Sequence, residues 1–236
     1  MTLPVIEKKW YKTKILNTKK EVKFRPFTVG EQKKIMLTKT KNPDNTFLLY
    51  EATMEMVNDC VENIDVKDLF PVQFESLFYE IKSISDGDIL DFSLECPKCK
   101  KISKLSLNSK NDIAVENEKN YKLTLNIPEA KITADFQHLK MKQAIELESK
   151  KYDIKEEKGF DAIVKCLKNV KESDKVHTDF TPKEANTFIE SLPSNAFKTL
   201  TDFFKNAPAL IVTKNFSCKH CETKFEFEDK SVKSFL

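Results

Sequence analysis

Cys96-Pro-Lys-Cys99 returns much later in the chain as Cys218-Lys-His-Cys221, and the fold follows from that repetition. Strand-like residues flank both turns. Asp88-Ile-Leu-Asp-Phe-Ser-Leu-Glu95 and Lys101-Ile-Ser-Lys-Leu-Ser-Leu107 surround the first, and Ala209-Leu-Ile-Val-Thr-Lys-Asn-Phe-Ser217 and Thr223-Lys-Phe-Glu-Phe-Glu228 surround the second. The unit of strand, Cys-x-x-Cys turn and strand therefore occurs twice. Two such turns brought face to face present four thiolates at the corners of a tetrahedron, the closed ligand set of a structural Zn²⁺. The expected arrangement is a bipartite zinc ribbon, with Cys96, Cys99, Cys218 and Cys221 as metal ligands and Zn²⁺ as the structural cofactor. Tetrahedral sulfur ligation suits zinc or iron–sulfur, and zinc is preferred.

Pairs of this kind usually lie roughly 15–20 residues apart, whereas here residues 100 to 217 intervene. That length is no thermodynamic bar, because each doubling of a loop adds only about 0.6 kcal/mol of closure cost. It does require the intervening chain to be folded and to return to its starting point. Redox dithiols are the competing reading, but no thioredoxin-like βαβ pattern surrounds either turn. Disulfides are the other. They are disfavoured because Met1-Thr-Leu-Pro-Val-Ile-Glu-Lys-Lys9 has no signal-peptide core, so the expected compartment is a reducing cytosol. His220 could replace a cysteine ligand in principle, yet with four cysteines at hand an exposed or supporting position is expected for it.

The 236 residues suffice to bury a core, and 18 phenylalanines with 40% hydrophobic residues supply one. Forty basic against 37 acidic side chains leave a net charge of +3, which disfavours an obligate nucleic-acid binder. With only three glycines and no GxxxxGK[ST] or GxGxxG, the nucleotide-binding classes built on phosphate loops drop out. No apolar run approaches a membrane span. No grouping of Ser, His, Asp or Cys has a catalytic pattern: His138 and His177 stand without ligand partners, and Glu146/Glu148 and Glu156/Glu157 lie in charged segments. The expectation is a protein without catalytic residues, without a cofactor-binding loop and without a small-molecule substrate.

Along the chain, Lys12–Leu16 and Glu21–Arg25 read as a hairpin joined by the turn Asn17-Thr-Lys-Lys20. Thr28-Val-Gly-Glu31 is a capping box opening a helix through about Thr38. A second helix starts near Thr46, with Leu49, Ala52, Met56, Val57, Cys60, Val61 and Ile64 on its stripe; a third carries Phe74, Leu77, Phe78, Ile81 and Ile84 and stops at Asp86-Gly87. Beyond the first cysteine turn, Tyr121–Ile127 reads as a strand with Ala130–Phe136 as partner, followed by helices over 140–150, 159–172, 182–191 and 195–206. Cys60 and Cys166 sit on or beside apolar stripes and read as packing. The fold class is α+β: a helical body with β-hairpins and the bipartite ribbon. Its expected divisions are 1–87 as N-terminal hairpin plus helices, 88–110 with 208–236 as the ribbon, and 111–207 as an inserted strand-plus-helix region.

Arg25-Pro-Phe-Thr-Val-Gly-Glu31, Val57-Asn-Asp-Cys-Val-Glu-Asn-Ile-Asp-Val66, Leu69-Phe-Pro71, the Phe74–Ile81 helix and Cys96-Pro-Lys-Cys99 form an ordered set of segments. Together they resemble the T4-type bacteriophage baseplate protein family, the baseplate hub assembly proteins of contractile-tailed phages. The match covers roughly residues 22–110 as a pattern of segments. The resemblance implies a non-enzymatic baseplate hub component or hub assembly factor (chaperone) that binds other phage baseplate hub or tail proteins. It places the chain in the host cytoplasm during tail assembly, or in the virion baseplate. The alternative is a zinc-ribbon nucleic-acid-binding factor, since the first hairpin carries Lys98, Lys100, Lys101 and Lys104. The acidic second hairpin, with Glu222, Glu226, Glu228 and Asp229, weakens that field.

Overall fold

Short alternating runs and helical stripes interleave along the chain, so the computed structural model is a mixed α+β protein of small antiparallel sheets and helices. It describes residues 6–43, 45–109 and 111–229. The first elements are β1 (Tyr11–Lys14), β2 (Glu21–Phe24), α1 (Val29–Lys41), α2 (Thr46–Asp59), β3 (Val61–Glu62) and α3 (Pro71–Asp86). Next come β4 (Ile89–Glu95), β5 (Ile102–Asn108), β6 (Ile113–Glu116), β7 (Lys122–Ile127) and β8 (Ile132–Gln137). The chain continues through α4 (Met141–Ser149), α5 (Lys155–Cys166), β9 (Leu167–Glu172), β10 (Lys175–His177), α6 (Pro182–Glu190) and α7 (Ser194–Lys205), then β11 (Ala209–Ser217) and β12 (Lys224–Asp229).

Two compact units result. One takes the chain up to Val66, Val72–Glu116 and the part from Ala209 onward; the other takes Lys67–Pro71 and Asn117–Pro208. In the first unit, the β1–β2 hairpin gains β3 through Lys23↔Glu62 and Phe24↔Val61. Helix α3 presents Val72, Phe74, Leu77, Phe78 and Ile81 inward, all buried. Phe74 is fully buried, so Phe74→Ala is the single change that would hollow this face, at a cost of about 3–5 kcal/mol. Gly87 at φ 96 ends the helix, its N–H donating to the Ser83 carbonyl at 2.9 Å.

Helix α1 opens as expected on Thr28, whose N–H donates to Glu31 Oε2 at 2.6 Å. That carboxylate has a second partner that the capping pattern does not reveal. Arg25 donates to both of its oxygens, at 2.6 and 3.0 Å, and also to the Asp59 carbonyl at 2.7 Å. Arg25 and Glu31 are both buried. The second helix is shorter than its apolar stripe: it ends at Asp59, and Val61 belongs to β3 instead. The physical reason is that Arg25 claims the carbonyls a further turn would need, its guanidinium taking that of Asp59 and its backbone N–H that of Cys60.

The second unit is the sheet β10-β9-β8-β7 with α4 to α7. Its core joins Leu125, Ile127 and Phe136 from strands to Ile163, Ile189, Leu200 and Phe203 from helices. The helix expected over 159–172 is divided: α5 stops at Cys166, and Leu167–Glu172 is a central strand paired with β8 and β10. A two-residue turn at Ser173-Asp174, with Ser173 at φ 53, makes that second pairing possible. Buried His138 stacks on Phe203 at 4.0 Å between ring centroids, and burial pushes its pKa down to about 4. It is a neutral packing residue at physiological pH.

Candidate metal centre

The two cysteine turns are built alike because the same backbone bonds close them. Cys96 N–H donates to the Lys101 carbonyl at 3.0 Å and Lys100 N–H to the Cys96 carbonyl at 3.0 Å. In the second turn, Cys218 N–H donates to Thr223 at 3.0 Å and Glu222 N–H to Cys218 at 2.9 Å. The residue after each second cysteine is left-handed, Lys100 at φ 59 and Glu222 at φ 56. That reversal folds the following amides back toward the sulfurs. His220 N–H, inside the second turn, likewise donates to Cys218 Sγ at 3.4 Å.

Each turn caps a ladder. The β4–β5 hairpin runs in register from Ile89↔Asn108 to Glu95↔Ile102, and the β11–β12 hairpin from Val212↔Asp229 to Ser217↔Lys224. Strand β11 also pairs with β6, from Ala209↔Glu116 to Val212↔Ile113. Lys214 on β11 reaches the Asp112 carboxylate at 2.9 Å and the Ser106 carbonyl of β5 at 2.7 Å. Strand β6 and this bridge escaped the reading of the sequence; the short Ile113-Ala-Val-Glu116 run after Asp112 is the only signal they leave.

All four expected ligand residues come together. Cys96 Sγ lies 3.7 Å from Cys221 Sγ and Cys99 Sγ 3.6 Å from Cys218 Sγ, and all four sulfurs fall within 4.8 Å of one another. A tetrahedron with Zn–S bonds of about 2.3 Å has edges of roughly 3.8 Å, so the set fits such an ion with little movement. Cys96 and Cys218 are buried and Cys99 and Cys221 half-buried. His220 stands outside the quartet, its Nε2 lying 3.4 Å from the Ile102 carbonyl.

The sulfurs differ electrostatically. The His220 backbone N–H, above all, pulls the Cys218 pKa below its usual value, and the Thr223 hydroxyl and N–H pull Cys221 down to about 6. Cys99 goes the other way: the Lys101 N–H lowers it, but burial and the three neighbouring sulfurs outweigh that and raise it to about 11. Four adjacent thiolates repel one another unless a cation sits among them. The donor set is compatible with a soft divalent ion, and four protein ligands around one would leave no position for a reactive water. The remaining two cysteines are unlike these. Burial raises both Cys60 and Cys166 to about 12, as befits packed, unreactive thiols.

A family model described as T4 bacteriophage base plate protein matches residues 8–236. No curated protein and no solved structure matches the chain. No described helix is long and apolar enough to cross a membrane.

Proposed function

The chain belongs to the T4 bacteriophage base plate protein family, and from that premise we propose that it is a hub component or hub assembly factor of the tail baseplate. It acts by binding other baseplate hub or tail proteins, in the host cytoplasm during tail assembly, and it catalyses no reaction. Membership supports a structural role in the baseplate, and the convergence of Cys96, Cys99, Cys218 and Cys221 supports the structural-metal part of the reading. Those residues would hold one Zn²⁺, whose contribution is folding free energy. The chain itself does the remainder. The backbone N–H groups of Lys101, His220 and Thr223 steady the sulfurs, and the left-handed residues Lys100 and Glu222 aim the turns.

The test is purification of the full chain with its metal content measured, followed by capture of candidate hub and tail proteins. The expected result is about one zinc per chain, specific capture of a tail protein, and no DNA binding even at low salt. The competing ribbon reading rests on Lys98, Lys100, Lys101 and Lys104, yet Lys100 already faces Glu95 at 3.6 Å. DNA affinity that falls steeply with salt, without capture of any tail protein, would replace the proposal by that reading.

A further inference from the structure

Helix α1 is anchored along one side only. Glu31, Ile35 and Thr38 lie on the side with reduced exposure, and Val29, Lys33, Met36, Leu37 and Thr40 form an exposed opposite face. At 3.6 residues per turn those five positions fall within roughly 100° of arc. Val29 is 81% exposed, Met36 63% and Leu37 44%. The helix also carries Lys33, Lys34, Lys39 and Lys41, and its one acid, Glu31, is engaged by Arg25. It presents an apolar stripe in a basic setting.

A second surface has the opposite character. Helices α5 and α6 flank a groove of about 570 Å³ lined by Ile154, Phe160, Val164 and Pro182, with Glu156, Glu157 and Glu190 among the residues around it. Ile154 is 55% exposed and Phe160 43%. Phe160 is held in place by stacking on Phe197, with centroids 5.6 Å apart and ring planes at 13°. Asp161 adds no charge to the rim, because Lys150 and Tyr152 already engage it at 2.9 and 2.6 Å. Exposed apolar patches of this kind mark interaction sites in soluble proteins.

We propose that α1 of one copy of this chain docks in the α5–α6 groove of a second copy. Val29, Met36 and Leu37 lie against Ile154 and Phe160, and the α1 lysines face Glu156, Glu157 and Glu190. Charge complementarity selects this occupant, since an acidic helix would be repelled by the rim. The contact joins two different surfaces, so it is head-to-tail. A single 13-residue helix in a groove is small for an interface, which places self-association at roughly micromolar strength. This goes beyond the binding of other tail proteins, which the capture assay above decides independently.

Sedimentation velocity of the full chain from micromolar to submillimolar concentration tests it. Association is expected, weaker at high salt, and weakened at least about tenfold by Met36→Glu or by Phe160→Lys. Both side chains are exposed, and circular dichroism checks that each variant is folded; Leu37→Glu and Ile154→Lys serve if either is not. The decisive arm is an equimolar mixture of the two variants. Met36→Glu keeps an intact groove and Phe160→Lys an intact α1, so the mixture should form a one-to-one dimer and nothing larger. A chain that stays monomeric throughout, association equally strong in both variants, or a mixture that fails to pair would each overturn the proposal. So would a monomer that nevertheless captures tail proteins, which would leave the assembly role standing.

Discussion

Among the ion pairs of the described residues, Arg25–Glu31 is one with both side chains buried. Their oxygens and nitrogens meet at 2.6 and 3.0 Å in a buried site, and Arg25 holds the Glu31 pKa down to about 2 against a burial penalty that would raise it. The ordinary value is 4.5, so the depression corresponds to about 3 kcal/mol of folding stability. Because the folded pKa lies below the unfolded one, that stability is complete above about pH 4.5 and is lost as pH falls toward 2. Glu31→Gln should therefore destabilise the protein by about 3–5 kcal/mol at pH 7, leaving a buried guanidinium without its counter-charge. Urea unfolding at pH 7 and at pH 3 checks this: the gap between variant and parent must narrow at the lower pH, and a constant gap would refute the linkage. The pair was not legible in the sequence. Glu31 could be read only as the third residue of a capping box, because its ion pair is created by the closure of β2 against the end of α2. The cysteine quartet was legible, since each half is a local motif whose spacing already fixes its turn.

Among the elements, the two Cys-x-x-Cys turns depend on backbone handedness as much as on sulfur. Lys100 is exposed and left-handed at φ 59, so its side chain can be changed with little effect beyond conformation. Lys100→Val should cost about 1–2 kcal/mol and weaken zinc retention, because a β-branched residue resists that region, whereas Lys100→Gly should keep both. Equal effects of Val and Gly, in thermal melts and chelator titrations, would show that the turn does not need this conformation. Cys218→Ser with Cys221→Ser should lower Tm by roughly 10 °C or more if zinc supplies folding free energy; an unchanged Tm in zinc-loaded buffer would remove the metal from the account. Elements of this size were unevenly readable. Helix α3 and the β7–β8 hairpin follow from period and breakers alone. Strand β9 does not: Leu167-Lys-Asn-Val-Lys-Glu172 continues the helical stripe of Phe160, Ile163 and Val164, and only its pairing with β8 on one side and β10 on the other makes it a strand.

For the whole chain, the decisive property is that one unit is assembled from distant segments. Residues Asn117–Pro208 fold between β6 and β11 and return the chain so that β11 pairs with β6 and β12 with β11. We propose that the first unit, with β6 and the part from Ala209 onward, unfolds as one cooperative body into which 117–208 is inserted. Truncation after residue 207 then removes Cys218 and Cys221, strips β6 of its β11 partner and takes Lys214 from Asp112 and Ser106. Two thiolates cannot close a tetrahedral site, so Cys96 and Cys99 should hold zinc far more weakly and the β4–β5 hairpin should lose its anchor. The fragment should bind less than a full equivalent of metal and unfold at a lower temperature, and amides of β4 and β5 should exchange faster than in the parent. Hydrogen exchange separates this from simple loss of the C-terminal strands, which would leave the β4–β5 hairpin as protected as before. A fragment that keeps its metal, its melting temperature and that protection would show that the first hairpin stands alone, and that the long return of the chain does nothing for it.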